Sequence, residues 1–390
     1  MDRRAFVQYL VASGLGASGA GRNDPAAAAS SPRADYRRLL ILVELKGGND
    51  GLNTVAPYSD PAYYALRPRL ALPRDQLVQL DDRCGLHPSL EPVLPLWKDN
   101  RLALIQGVGY PAPNLSHFRS IEIWDTASAS DEFLQDGWLT RSFAATPTPR
   151  SFAADGVIVG SNDLGPLAGA GTRAIALNNT EQFLRQARLA APYGHAGNRA
   201  LAHILKVEAD IQQAAAGLDA RYEFGTEFPK TDFGNAVKTA CQVIANRAGV
   251  AIVRVTLGGF DTHQNQIQTQ ARLLKELAEG IVAFRAALTE LSRWDDTLLL
   301  TYAEFGRRAK ENMSGGTDHG TASVHMATGG RVAGGFYGEQ PSLTRLDGDG
   351  NVAHALDFRS VYATVLERWW GVPANTPLGG RFAPVEFIRT

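Results

Sequence analysis

The chain has 390 residues, 44% hydrophobic and 20% charged, with 39 lysines and arginines against 40 aspartates and glutamates, a formal net charge of -1. This is ordinary globular composition at a length for two domains at most, and the near-zero charge leaves no electrostatic footprint for nucleic acid. With 39 glycines, many tight turns are expected, and loops are expected to carry much of the function.

Residues 1–30 read as a targeting segment. Asp2-Arg3-Arg4-Ala5-Phe6 has the paired arginines and following apolar residue of a twin-arginine export signal. Tyr9 to Ala20 adds a mild apolar region, and Ala26 to Ala29 offers small-residue cleavage sites. That region is short and broken by Gly and Ser, so no transmembrane helix is expected. The expected location is periplasmic or secreted, with the twin-arginine export machinery as a partner. Cys84 and Cys241 are the only cysteines for an oxidising compartment, and their pairing is left open.

The remainder, residues 36–390, reads as one α/β domain. Arg38 to Leu45 (RLLILVEL) is a continuous apolar run, the pattern of a central buried strand, and it runs straight into Lys46-Gly47-Gly48-Asn49-Asp50-Gly51. Asp50 is therefore expected at the carboxyl end of the first strand, with Lys46 and Asn49 beside it. Leu102 to Val108 predicts a second buried strand after a short helix between Leu90 and Lys98. It leads to Ser116-His117-Phe118-Arg119-Ser120, where Ser116 has the place of a helix N-cap.

Ser130 to Thr231 changes character and is expected to be a mixed α/β insertion shaping substrate access. It holds a strand-like Gly156 to Val159 and a helix from about Asn198 to Leu218, with His195 and His203 in structural or solvated roles. A helix from Phe233 to Ala248 follows. Val250 to Leu257 (VAIVRVTL) predicts a third strong strand, ending in Gly258-Gly259-Phe260-Asp261-Thr262-His263. A long amphipathic helix from Gln264 to Trp294 returns the chain to Thr297 to Tyr302, a fourth strand, with Glu304 just past its end. Asp318 and His319 enter the next strand, Val324 to Thr328. Asp347-Gly348-Asp349-Gly350-Asn351 resembles a calcium loop, but Val352 and Phe358 stand where that loop needs Gly and Glu, so a turn is expected. Asp357 to Trp370 predicts the closing helix.

The repeated order of strand, acidic loop, helix and strand predicts a mostly parallel central sheet flanked by helices. Ligands of such sheets sit outside the carboxyl ends of the strands. The residues expected to converge there are Asp50, Ser116, Asp261, His263, Glu304, Asp318 and His319, with His117 a further candidate. Carboxylates with imidazoles suit Zn²⁺ or Mn²⁺, and a carboxylate-rich subset suits Mg²⁺ or Ca²⁺. One or two such ions are expected, and a pair could clamp the attacking and leaving oxygens of an in-line displacement.

Seven separated motifs, DRRAF, ELKGGNDGLN, NLSHFRSIEIW, GGFDTHQNQ, TYAEFGRR, GTDHGTAS and DFRSVYATVLERW, resemble in this order the bacterial exported domain-of-unknown-function family 1501. That family resembles a branch of the alkaline-phosphatase-like superfamily, beside sulfatases and phosphomutases. The resemblance implies that fold, a metal ligand at Asp50, a hydroxyl nucleophile at Ser116, an Asp/His ligand pair at Asp261 and His263, and a late ligand at His319. It places Glu304 where the pattern has an Asp, and Phe305 where it has a His. The second metal then recruits Asp318 or His117, or is absent. The implied function is exported, metal-dependent hydrolysis of phosphate or sulfate esters, small ones or those of modified glycans. In that reading Ser116 attacks, with Ser120 the other hydroxyl in reach, and Arg119 or Lys46 steadies the anionic group. The alternative is a non-catalytic exported protein that binds a metal or a glycan on the same fold.

Overall fold

The computed structural model describes residues 34–177, 222–246 and 249–389. The targeting segment, the helix expected near residues 198–218, and His195 and His203 lie outside the described residues.

The main sheet is built on strands β1 (Leu39–Lys46), β2 (Leu102–Gly109), β3 (Ala154–Val159), β4 (Ala174–Leu177), β5 (Val250–Gly258), β6 (Thr297–Tyr302), β7 (Ser323–Thr328), β8 (Gly335–Gly338) and β9 (Leu356–Asp357). Among the described residues the strand order is β8-β2-β7-β6-β1-β5-β3-β4, with β9 pairing β2. β1 lies between β5 and β6 and pairs with both in parallel. β7 is antiparallel to both of its neighbours, which sets β2 parallel to β6. The carboxyl ends of β1, β2, β5 and β6 therefore meet at one edge, together with the entrance to β7.

β1 reads as an unbroken apolar run because both of its faces are covered. Leu39, Ile41, Val43 and Leu45 face one core cluster with Val237, Leu274, Leu277 and Ile281. Those four come from helices α4 (Asp232–Ile244) and α5 (Gln266–Glu290), numbered after α1 (Gly51–Thr54), α2 (His117–Thr126) and α3 (Trp138–Ala145). Leu40 and Leu42 face the other cluster, with Trp124, Trp138, Tyr362 and Trp369. Burial of each such side chain contributes about 1.5–3 kcal/mol. The closing helix is α6 (Phe358–Ala363), continued by a π-helical stretch, Thr364–Trp370.

The region expected as an insertion supplies β3 and β4, which extend the main sheet beyond β5, so its described part is built into the sheet. Residues 347–351 form a turn, closed by a Leu346–Val352 bridge, with Asp347 Oδ1 accepting from the amides of Asp349 and Asn351. Cys84 and Cys241 are buried and free. Burial raises the Cys84 thiol to about 11.

A polar ladder crosses the middle strands beneath the site edge. Glu44 on β1 and Arg254 on β5, each 1% exposed, pair at 2.8 Å, and Arg254 Nε donates to Tyr302 of β6 at 2.8 Å. Asp125 of α2 is enclosed next to them, and its burial raises its pKa well above the usual carboxylate range. Nearby, His325 of β7 packs edge-on to Trp124 at 5.2 Å, and neither ring nitrogen has a hydrogen-bond partner among the described residues.

Burial lowers His325 to about 3 and His87 to about 4. Each folded-state pKa lies below the unfolded value of about 6.5, so the unfolded chain binds protons first as pH falls. Stability is full above about pH 6.5 and declines as pH falls toward the folded values. From His325 alone, the loss between pH 7 and pH 5 is expected to be about 2 kcal/mol in urea unfolding. His325→Leu should flatten that slope, and an unchanged slope would show that His325 is not its source.

Candidate metal centre

Five loops meet at the sheet edge. They follow β1 (46–50), β2 (110–116), β5 (259–263) and β6 (303–308), and one enters β7 (317–321). Gly47 and Gly48 let the first loop pack this tightly. Both have positive φ, 114° and 80°. A Cβ on Gly47 would stand 2.4 Å from the Asp261 amide nitrogen, and one on Gly48 would stand 2.5 Å from the Phe305 ring. The 306–308 and 318–320 segments are joined by an Arg307–His319 bridge and by Arg308 N donating to Asp318 O at 3.0 Å. That pairing carries His319 back over the edge.

Asp261 is the centre of the cluster. Its Oδ1 lies 3.1 Å from His263 Nε2, 3.2 Å from His319 Nε2 and 2.7 Å from Arg307 Nη2, and its Oδ2 lies 3.4 Å from His117 Nε2. Burial opposes its ionisation, but the hydrogen bond and charge of Arg307, with help from His319 and His263, hold its carboxyl down at about 2.

The three imidazoles are oriented from behind. His319 Nδ1 lies 2.8 Å from the Leu115 carbonyl, which can only accept, so Nδ1 carries the proton and Nε2 a lone pair. His117 Nδ1 lies 2.8 Å from Glu304 Oε1, and His263 Nδ1 lies 3.2 Å from Asp318 Oδ1. Ionised carboxylates also only accept, so in their neutral forms all three rings would turn an Nε2 lone pair on Asp261. The Nε2 atoms of His263 and His319 are 3.0 Å apart, a spacing that a cation between them would stabilise. Burial lowers the His319 pKa, whereas the Glu304 hydrogen bond raises that of His117.

This donor set fits a metal ion. His117, Asp261 and His319 each offer a ligand atom, all within 4.8 Å of one another. Zn–N bonds of about 2.0–2.1 Å place neighbouring ligands of a tetrahedral ion about 3.3 Å apart. The separations from Asp261 to the imidazole Nε2 atoms, 3.1 to 3.4 Å, match that spacing.

The sequence from residue 37 to residue 376 matches the family described as Protein of unknown function (DUF1501). The chain belongs to that family. No curated protein matches this DUF1501 member. Solved structures similar to it include the C-terminal periplasmic domain of EcEptC from Escherichia coli in complex with Zn, at 10% identity and TM-score 0.37, covering 77% of this chain and 74% of that one. Alkaline phosphatase from the Antarctic bacterium TAB5 is similar at 11% identity and TM-score 0.34, covering 77% and 94%. The lipoteichoic acid synthase LtaP from Listeria monocytogenes is similar at 9% identity and TM-score 0.38, covering 89% and 76%. At these values no residue role is carried across.

The other residues singled out in the DUF1501 sequence are placed as follows. Glu304, 2% exposed, accepts from Gly47 N at 2.9 and 3.1 Å and from His117, so it orients an imidazole from behind. Asp318 does the same for His263 and also accepts from Asn312 Nδ2 at 3.2 Å. Asp50, expected as a ligand, is 1% exposed and turned into a buried pair with Arg67 at 2.5 Å. Asn49 is buried against Thr54. Arg119, expected to steady an anion, instead pairs with Glu122 at 2.9 Å, donates to the carbonyls of Ala129, Ser130 and Glu132, and lies over Phe133. Ser120 is fully buried and held by Tyr110 and the Glu304 carbonyl. Ser116 is the exposed N-cap residue of α2, and its hydroxyl makes no capping bond. Lys46 is exposed at the end of β1.

Sequence reasoning missed Arg307 as a site residue. Its fully buried guanidinium donates to the carbonyls of Gly47, Gly48, Phe260 and Thr317 as well as to Asp261. Arg307 and Arg308 stand three and four residues after Glu304 in the sequence, and nothing in that spacing signals a partner in another loop. Arg307→Met is expected to lower unfolding stability by more than about 1 kcal/mol, because four carbonyls lose a donor and the half-exposed Asp261 loses its paired charge. A loss below about 1 kcal/mol in denaturant titration would remove Arg307 as the clamp of these loops.

Proposed function

We propose that this chain is an exported, metal-dependent hydrolase of phosphate or sulfate esters with Ser116 as its nucleophile. The observation that carries the reading is the position of Ser116 in the chain. Leu115 before it accepts from His319, and His117 after it reaches both Glu304 and Asp261. The one exposed hydroxyl at the start of α2 is thus strung between two members of the donor cluster.

His117, Asp261, His263 and His319 would hold the ion. A divalent cation there supplies positive charge that favours ionisation of a nearby hydroxyl and neutralises ester oxygens. The chain does the rest. Ser116 Oγ forms the bond to phosphorus or sulfur as the bond to the alcohol oxygen breaks, and the alcohol leaves with the proton the hydroxyl gave up. Water then cleaves the seryl ester and restores the hydroxyl. The amino end of α2 favours the anionic group through its dipole and unpaired amides. Lys46, exposed at the same strand end, is the remaining candidate to steady the anion.

The exported location rests on the paired Arg3 and Arg4 at the start of the chain. Among the described residues no helix is long and apolar enough to cross a membrane. A second reading, a metal-holding binding protein for modified glycans, is favoured by Arg119, whose Nη2 is given to backbone carbonyls and whose Nε and Nη1 are buried away from an incoming anion.

Turnover of 4-nitrophenyl phosphate, bis(4-nitrophenyl) phosphate and 4-nitrophenyl sulfate, measured with Zn²⁺, Mn²⁺, Mg²⁺ or Ca²⁺, separates the two readings. Ser116→Ala is expected to lower kcat by at least about 100-fold while melting at the wild-type temperature. Undiminished turnover in Ser116→Ala would rule out the nucleophile, and saturable glycan binding with no turnover in the wild type would support the second reading.

A further inference from the structure

We propose that this site holds one metal ion rather than two, because Asp50, the carboxylate a second ion would most need, is already spent on the chain's own cation, and Phe305 offers no ligand atom. The inference rests on the metal-site reading above and concerns how many ions that site takes.

Asp50 is the residue a second ion would most need, and neither of its oxygens is free. Oδ2 accepts from Arg67 Nη1 at 2.5 Å and from Gln266 Nε2 at 2.5 Å, and Oδ1 accepts from the Leu52 amide at 3.1 Å. Arg67 is itself fully buried and fixed by the carbonyls of Ala309 and Arg308, both at 2.8 Å, and by Asn53 Oδ1 at 2.9 Å. A guanidinium held in this way is a permanent counter-charge. Drawing Asp50 onto a metal would leave a buried arginine unpaired.

Glu304 is spent as well. Both of its oxygens receive the Gly47 amide, and Oε1 also receives His117. Asp318 receives both His263 and Asn312 on Oδ1, on the Nδ1 side of that ring, and Oδ2 is its one oxygen with no hydrogen bond among the described residues. Phe305, standing where the family resemblance implies an imidazole, places an apolar ring 4.8 Å from His117 and 4.6 Å from His319. It fills that space and offers no ligand atom. Among the described residues, His117, Asp261 and His319 form the one group with ligand spacing.

Arg307 then has a specific part. Its Nη2 lies 2.7 Å from the Asp261 oxygen that faces two imidazoles, so a fixed positive charge stands behind the ligand carboxylate. It is fully buried and touches no substrate, which makes it a positioning residue. Arg67 on Asp50 neutralises the carboxylate that a second divalent ion would otherwise use.

The test is Zn²⁺ titration of metal-stripped protein by calorimetry, with bound metal counted by native mass spectrometry, on the wild type, Asp50→Asn and His319→Ala. One equivalent is expected in the wild type. Asp50→Asn should keep that equivalent with Kd within about twofold of wild type, despite a lower Tm. His319→Ala should weaken Kd by at least about 100-fold, having lost a ligand. Two equivalents in the wild type, or loss of bound Zn²⁺ in a folded Asp50→Asn protein, would overturn the one-ion site. No bound metal in the wild type would sink the ester-hydrolase reading and this inference with it. If Asp50→Asn does not fold, the wild-type count decides alone.

Discussion

The site edge depends on one buried cation. Arg307 is enclosed completely, and its donors reach carbonyls in the loops after β1 and β5 and in the loop entering β7 before they reach Asp261. A buried guanidinium tolerates its loss of water only where every donor finds an acceptor, so these loops are held to the positions that satisfy it. Gly47 and Gly48 are the steric counterpart, since any side chain there would collide with Asp261 or Phe305. The imidazoles converge because the backbone beneath them has been fixed first.

On that base, carboxylates divide into two roles. Glu304 and Asp318 face the Nδ1 atoms of His117 and His263 and fix their tautomers, while Asp261 alone stands on the Nε2 side. A carboxylate behind an imidazole raises its basicity and restricts its rotation, which is the usual arrangement around a metal-ligating histidine. His319 is oriented by a backbone carbonyl instead. Burial lowers that ring's pKa, and the hydrogen bond to the carbonyl offsets this only in part.

The strands were legible because burial on both faces leaves an unmistakable pattern. LLILVEL, VAIVRVTL and TLLLTY have almost no polar positions, and each ends in the glycine-rich or acidic loop that marks the ligand edge of such a sheet. The gathering of Asp261, His263, Glu304, Asp318 and His319 follows from topology alone. Their division into ligands and orienters does not, because that turns on which oxygen meets which donor. Asp50 shows this best: its position at the end of β1 was readable, but its partner is Arg67, 17 residues on and fully buried. The sheet membership of β3 and β4 was hidden for another reason. They are short strands toward the edge beyond β5, and β4 buries only alternate residues, so neither spells a long apolar run. His325 left no signal at all, since a lone histidine in a strand looks the same whether or not its nitrogens have partners.

The arginines carry a last consequence for how an anion would be held. Arg67, Arg119, Arg254 and Arg307 all approach the site edge or the core beneath it, and each is committed to carbonyls or to a carboxylate of the chain. None presents an accessible guanidinium edge to grip an ester in the two-pronged way that arginine otherwise offers phosphate, since the Nε and Nη1 of Arg119 are buried. Attraction for an anion is then left to the Nε2-lined centre around Asp261, the amino end of α2, the exposed ammonium of Lys46 and the half-buried Arg308 near Asp318. Of these, a helix terminus acts within its first turn and a lysine on an exposed strand end has rotamer freedom to lose. On the proposed reading, an ion in the donor cluster adds a fixed positive charge at this same edge, so metal binding and anion binding are expected to be coupled there.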